Sequence, residues 1–95
     1  MVNNRVGRTQ RHREKLFREQ RGLCFYCQRP MLLRNGHTDG AHMPGTLATL
    51  DHIIPISNGG AKAPTLNTVA ACRTCNGKRG TKDARLFMLE RQGAL

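Results

Sequence analysis

Short apolar groups separate polar stretches along this chain, and each group predicts one short element of secondary structure. The first group predicts a helix over residues 10–20, where Leu16 and Phe17 supply the apolar contacts of an otherwise charged segment. Thr9 is a suitable N-cap for this helix, and Gly22 would end it. So thin an apolar stripe indicates a helix that rests on the surface of the domain.

Two further groups predict strands. Apolar and threonine residues concentrate in residues 46–54 and favour a short strand that ends around Asp51 and His52. Residues 68–71 are short and apolar enough to be the returning strand, and a helix is expected to begin at the cysteine pair that follows. The order of helix, strand, strand and helix predicts an α+β fold.

The length of 95 residues predicts a single domain, because so short a chain rarely holds two. We expect it to consist of a basic N-terminal helix within residues 1–22, a core in residues 24–80 and a C-terminal helix within residues 81–95. Thr81 is a suitable cap for this last helix, which would run over residues 82–92.

Large apolar side chains are scarce, since the chain has three Phe, one Tyr and no Trp. Such a core is only marginally stabilising, and four cysteines could reinforce it as two disulfides or as one metal site. No segment resembles a leader peptide or is apolar enough to span a bilayer, so we expect a cytoplasmic protein without membrane contact. A reducing cytoplasm disfavours disulfides and favours a metal.

The formal net charge of +10 arises from 16 Lys and Arg against 6 Asp and Glu. Such a surplus indicates a phosphate-rich partner, and nucleic acid is the first choice. Charge alone does not distinguish an enzyme that acts on nucleic acid from a basic ribosome-associated protein.

The cysteines form two Cys-x-x-Cys pairs, Cys24 with Cys27 and Cys72 with Cys75. Two bidentate thiolate pairs are the ligand set of a closed, tetrahedral structural zinc site. The alternatives are two disulfides and a redox-active pair. The expected compartment disfavours the first, and the absence of a thioredoxin-like βαβ pattern disfavours the second. We therefore expect a zinc ion that closes the long intervening segment and staples the core.

Between the two cysteine pairs lie Asp-His-Ile-Ile-Pro, Gly-Gly and an asparagine, and the second pair continues as Cys-Asn-Gly-Lys-Arg-Gly. This ordered set, over residues 24–80, resembles the HNH endonucleases, particularly the small four-cysteine kind common in bacteriophages. The resemblance implies a ββα-metal fold with flanking helices. His52 would end the first strand, Asn67 would precede the second strand, and Asn76 would lie on the helix.

The resemblance implies metal-dependent cleavage of DNA, and elementary chemistry assigns the roles. His52 can accept a proton from water near neutral pH, because an imidazole has an ordinary pKa of about 6.5. Asp51 and Asn76 offer hard oxygen ligands for Mg²⁺ or Mn²⁺. Asn67, by resemblance, orients His52 and ties down the loop. The alternative is a zinc-containing adaptor that binds nucleic acid without cleaving it.

Strict strand alternation sends neighbouring residues to opposite faces, so the strand must twist or end at Asp51 and His52 for both to serve one site. The remaining histidines have weaker support. His37, Asp39 and His42 could chelate a metal, although their glycine-rich segment is more typical of an exposed connection. His12 is expected on the surface of the first helix.

Basic residues cluster around the second cysteine pair, close in sequence to Asn76, and we expect them to contact DNA phosphates. They are Arg73, Lys78, Arg79 and Lys82. Few aromatic or base-reading groups accompany them, which predicts binding mainly through the phosphate backbone. By family resemblance alone, a phage terminase is a further expected partner.

Overall fold

The computed structural model describes residues 8–33, 44–54, 59–63 and 66–94. Three helices and two strands follow one another in this part of the chain. They are α1 (Arg8–Glu19), β1 (Ala48–His52), β2 (Thr68–Cys72), α2 (Arg73–Arg79) and α3 (Ala84–Arg91). The consecutive β1, β2 and α2 confirm the predicted α+β class and are consistent with a ββα-metal fold, with α1 and α3 on either side in sequence.

The two strands form an antiparallel hairpin whose register places His52 opposite Thr68. The outer edge of β2 is satisfied by the first part of the chain. The side-chain amide of Gln20 donates to the carbonyl of Ala70 and accepts from its N–H, each over 2.9 Å. The Phe25 N–H also donates to that carbonyl. These contacts cover an edge that would otherwise be open to pairing with another chain.

The small core gathers where the hairpin, the first cysteine turn and α3 meet. Tyr26 is fully buried, and its ring lies edge-to-face against Phe87 of α3 with 5.2 Å between centroids. Val69 and Ala71 of β2 are buried as well. Apart from Tyr26 and Phe87 this core contains few large side chains, which accords with the need for a metal staple.

Both α1 and α2 pack against the hairpin. The side chains of Thr49 and Asp51 make hydrogen bonds with α2, so they lie on one face of β1. Alternation then places Leu50 and His52 on the other face, towards α1. Asp51 is buried and His52 is half-buried. β1 ends at His52, as the sequence predicted, and the chain bends at Ile53 and Ile54, so a site that uses both side chains must form at this end of the strand.

Two predicted caps are wrong. Thr9 lies inside α1, which already includes Arg8. The last helix begins at Ala84, because the Asp83 carboxylate accepts from the Leu86 N–H over 3.0 Å and caps it in place of Thr81. Gly22 does follow the end of α1 as predicted. It has a φ of +74° and donates its N–H to the Phe17 carbonyl.

In the part of the chain that the structure describes, no helix is long and apolar enough to cross a membrane.

Candidate metal centre and active site

The four cysteines converge on one point. Their sulfur atoms all lie within 4.8 Å of one another, and none is in a disulfide. The tight turn after β-bridge residue Leu23 supplies Cys24 and Cys27, whereas Cys72 ends β2 and Cys75 lies in the first turn of α2. Four sulfurs so close together are positioned to bind a metal ion, and four thiolates are consistent with structural zinc.

Hydrogen bonds to sulfur prepare this cluster for a cation. Cys24 Sγ accepts from the N–H groups of Tyr26 and Cys72, each over 3.3 Å. Burial raises the pKa of the Cys75 thiol to about 12, whereas a hydrogen bond from the Arg91 guanidinium, at 3.4 Å, acts in the opposite direction. A metal ion must displace the proton that this burial favours, and Arg91 stabilises the resulting thiolate.

Helix α2 lies across β1 and is fixed there by Asn76. The Asn76 side-chain amide donates to Thr49 Oγ1 over 3.0 Å and to the Leu50 carbonyl over 3.2 Å. With Nδ2 held against the strand, Oδ1 is used by none of the described hydrogen bonds. This oxygen is the atom of Asn76 that could ligate a cation.

One turn further along α2, Arg79 meets Asp51 in a buried network. The guanidinium donates to Asp51 Oδ2 over 2.8 Å, and the Tyr26 hydroxyl donates to the same oxygen. Burial, followed by the hydrogen bond to Asp51, raises the pKa of Tyr26 well above its usual range, so the phenol keeps its proton. Asp51 Oδ1 receives none of the described hydrogen bonds, and it is the carboxylate oxygen left for a cation.

The burial of Arg79 corrects one expectation. We expected this residue to contact DNA phosphate, but only 1% of its surface is exposed. Its donors bind Asp51, the Lys82 carbonyl and the carbonyls of His52 and Ile53. Arg79 therefore fixes the end of β1 from inside the protein, because it is buried and all of its described hydrogen bonds go to protein groups. The sequence alone does not distinguish Arg79 from the exposed basic residues near it.

The other three basic residues predicted to contact phosphate are exposed. Arg73 begins α2, Lys78 lies near its end, and Lys82 follows in the turn before α3. The Lys82 ammonium also lies 5.7 Å from the centroid of the Phe87 ring. The structure thus leaves Arg73, Lys78 and Lys82 accessible to a polyanion, and their contact with DNA stays a prediction.

Asn67 closes the base of the hairpin. Its Oδ1 accepts from the Ile54 N–H over 2.9 Å, and its Nδ2 donates to the Ile54 carbonyl over 2.7 Å. A φ of +60° permits this geometry. Gly60 lies directly over it, and a Cβ there would be 1.9 Å from the Ile54 carbonyl oxygen. None of the described hydrogen bonds joins Asn67 to His52, so any orienting effect must pass through the backbone.

The His52 ring is fixed by a backbone contact. Its Nε2 lies 3.3 Å from the Lys62 carbonyl oxygen. A carbonyl can only accept, so this hydrogen bond requires a proton on Nε2, and in the neutral imidazole the lone pair then lies on Nδ1. His52 is half-buried at the end of β1. A neutral imidazole with an unprotonated nitrogen is the form that can remove a proton from water.

A second histidine lies on the same face of the hairpin. His12 of α1 is half-buried rather than a plain surface residue, and its Nε2 lies 3.2 Å from Thr68 Oγ1. Thr68 is the residue that pairs with His52 across the hairpin. The helical spacing of His12, Leu16 and Gln20 indicates that they share one face of α1. It does not show that His12 contacts Thr68, 56 positions away.

The possible chelating group of His37, Asp39 and His42 lies outside the described residues. Within the described ranges, the four cysteines are the one group of at least three His, Cys, Asp or Glu side chains placed to hold a metal.

Comparison with known families agrees with this geometry. The family model described as HNH endonuclease matches residues 24–82, an interval that contains both cysteine pairs and the segment from Asp51 to Asn76. No curated protein and no solved structure gives a significant match to the chain.

Proposed function

This chain belongs to the HNH endonuclease family, and we propose that it is a metal-dependent endonuclease that hydrolyses phosphodiester bonds of DNA. A nucleic-acid substrate is what the family implies. The observation that carries the catalytic proposal is the placement of Asn76 on α2 and of Asp51 on β1, next to His52 at the end of that strand. Cleavage itself, the choice of DNA and the metal are the proposed parts.

His52 is the proposed general base. Its Nδ1 accepts a proton from the attacking water, while the Nε2 proton remains bonded to the Lys62 carbonyl, which holds the ring in one tautomer. The clamp formed by Asn67 and Ile54 immediately follows in the chain and keeps the end of β1 in place. Asn67 therefore supports the base through the backbone rather than through the substrate.

Asp51 and Asn76 would hold the catalytic cation, Mg²⁺ or Mn²⁺. Each has one side-chain atom committed to the protein and a second, an oxygen, that no described hydrogen bond uses. Oxygen donors suit these hard cations, and so few protein ligands leave coordination positions for water and phosphate. When bound, the cation supplies charge relief on the phosphoryl oxygens and on the leaving alkoxide. Arg79 and Tyr26 hold the Asp51 carboxylate in position.

DNA would bind through its phosphates, beside α2, at the exposed Arg73, Lys78 and Lys82. The net charge of +10 favours such contacts, and the affinity should fall steeply as salt rises. In the expected setting, the cytoplasm of a bacterium or phage-infected cell, a packaging terminase is a partner proposed by resemblance alone.

The experiment is cleavage of supercoiled plasmid by wild type and by His52→Ala, each loaded with one zinc. Loss of the general base should lower the nicking rate by at least about 100-fold, with zinc content and circular dichroism unchanged. Full activity of His52→Ala would remove this residue from the mechanism.

One observation favours a second candidate, a zinc-containing adaptor that binds nucleic acid without cleaving it. Asp51 is already paired with Arg79 over 2.8 Å, so its negative charge is balanced without a metal ion. The adaptor predicts salt-sensitive DNA binding and no nicking with any divalent metal. It gives no role to the His52 tautomer or to the open oxygen of Asn76.

A further inference from the structure

Helix α1 lies on the face of the hairpin that carries His52. The register sets His52 directly opposite Thr68, and such cross-strand neighbours have Cβ atoms only about 5 Å apart. His12 of α1 reaches Thr68 Oγ1 over 3.2 Å. Two imidazoles, from elements far apart in sequence, therefore lie against one threonine at the same end of the hairpin.

The free edge of the His12 ring is suited to a phosphate. Nε2 faces the Thr68 hydroxyl, which can donate to it, and Nδ1 is used by none of the described hydrogen bonds, so the proposed contact needs the tautomer with its proton on Nδ1. His12 is half-buried, so part of its ring remains accessible. A neutral imidazole N–H in this position can donate to a phosphoryl oxygen without any change of charge.

Attachment of α1 to the hairpin does not depend on His12. Gln20 already makes two hydrogen bonds to Ala70, and Leu16 and Phe17 pack against the core. A third attachment point of an apolar type would have served as well. The polar ring at the end of the hairpin that Asn67 closes therefore calls for a role beyond packing.

The exposed flank of α1 next to His12 is basic. Arg11, Lys15 and Arg18 follow i, i+4 and i+7 spacing, which places them along one side of the helix. Lys15 pairs with Glu19 over 3.1 Å. Arg11 and Arg18 are exposed and make no ion pair with any residue in the described ranges. Basic side chains in such a row can contact successive phosphates of a DNA backbone.

We propose that α1 is a DNA-binding helix of this protein, with the His12 Nδ1–H contacting the phosphate at which His52 acts and Arg11 and Arg18 contacting phosphates further along the strand. This inference rests on the proposed nuclease function for the role of His12. The contribution of the arginines can be measured by DNA binding alone.

The test of His12 is the zinc-loaded His12→Gln variant in plasmid nicking. Glutamine can place its amide oxygen where Nε2 lies and accept from the Thr68 hydroxyl, but it has no group at the position of Nδ1. We expect a thermal midpoint close to that of wild type and a kcat/KM lower by about 10- to 100-fold, as for one hydrogen bond to a charged group. Wild-type kinetics of His12→Gln would overturn the role of His12.

Gln20→Ala is the matched control. It removes the hydrogen bonds between α1 and Ala70, in the middle of β2, so it should lower the thermal midpoint while kcat/KM of the folded protein is retained. If Gln20→Ala and His12→Gln slow nicking equally, His12 serves only to hold the helix, and its phosphate contact is refuted.

The arginines are tested by binding of a short DNA duplex over a range of salt concentrations. Arg11→Gln/Arg18→Gln should weaken binding and lower the slope of log K against log salt by about 1.8, for two lost phosphate contacts. The control Arg29→Gln/Arg85→Gln removes the same charge from exposed positions on the first cysteine turn and α3. Equal slopes for the two double variants would refute the α1 surface. If wild type binds but never nicks, the nuclease proposal fails while this binding test still decides the helix.

Discussion

Replacing Arg79 by methionine should destabilise the protein far more than replacing its neighbour Lys78. Both are basic residues in the last turn of α2. Arg79 is 1% exposed and its guanidinium satisfies Asp51 Oδ2 and three backbone carbonyls, whereas Lys78 is exposed. Methionine fills much of the volume of the arginine side chain but leaves the Asp51 carboxylate buried without its cation.

The magnitude follows from the burial of this pair. Removing one partner of a buried ion pair costs about 3–5 kcal/mol, because the other charge is left uncompensated. A domain of this size has a total stability of about 5–15 kcal/mol. At roughly 4 °C or more per kcal/mol, Arg79→Met should lower Tm by at least about 12 °C. For Lys78→Met, an exposed substitution, a change of about 0.5 kcal/mol or less is expected.

The assay is thermal unfolding followed by circular dichroism, with zinc at one fixed saturating concentration because bound metal shifts Tm by mass action. DNA affinity of each folded variant is measured in parallel. Lys78→Met should weaken DNA binding with Tm unchanged. Arg79→Met with the Tm of wild type and weakened DNA binding would show that Arg79 contacts phosphate and would refute its structural role.

Three other predictions concern the cysteine cluster and the supports of Asp51 and His52. Because burial raises the pKa of the Cys75 thiol to about 12, zinc must displace a proton there at neutral pH. Zinc affinity should therefore fall as pH falls, and calorimetry in two buffers should detect proton release; a pH-independent affinity would contradict this. Asn67→Ala removes both side-chain bonds to Ile54 and should speed hydrogen exchange of the Ile54 amide by about 10-fold or more, and unchanged exchange would show that the clamp is not needed. Tyr26→Phe removes a buried donor to Asp51 and should cost about 1–3 kcal/mol in chemical denaturation, whereas a neutral effect would mean that Arg79 alone satisfies the carboxylate.

Elements with local signals could be predicted from the sequence. The spacing of the cysteine pairs predicted a cluster that the structure brings within 4.8 Å. Threonine and apolar residues ahead of Asp51 predicted β1, and the short apolar run after Asn67 predicted β2. The N-cap of the last helix could not be assigned from the sequence, because the side chains of both Thr81 and Asp83 can cap a helix. In the structure the Lys82 N–H donates to the Arg79 carbonyl in the turn after α2, and Asp83 is the residue that caps α3.

Contacts between distant segments could not be predicted. The sequence does not distinguish Arg79 from the neighbouring Lys78. Arg79 is buried because the fold brings Tyr26 and Asp51 against one side of α2. His12 showed helical spacing with Leu16, but its contact with Thr68 depends on how α1 lies across the hairpin. Arg79 and His12 are both polar side chains. A sequence pattern gives their spacing along the chain but does not show which distant residue each one contacts.

The measurement that tests the nuclease proposal most directly is cleavage of supercoiled plasmid by the zinc-loaded protein with and without added Mg²⁺ or Mn²⁺. Omitting the added metal is a better control than a chelator, which could also strip the cysteine cluster. Wild type should convert the plasmid to nicked or linear DNA only with added metal, and His52→Ala should leave it supercoiled under the same conditions. Tight binding of the plasmid by wild type, without cleavage in either metal, would contradict the nuclease function and leave a zinc-containing adaptor.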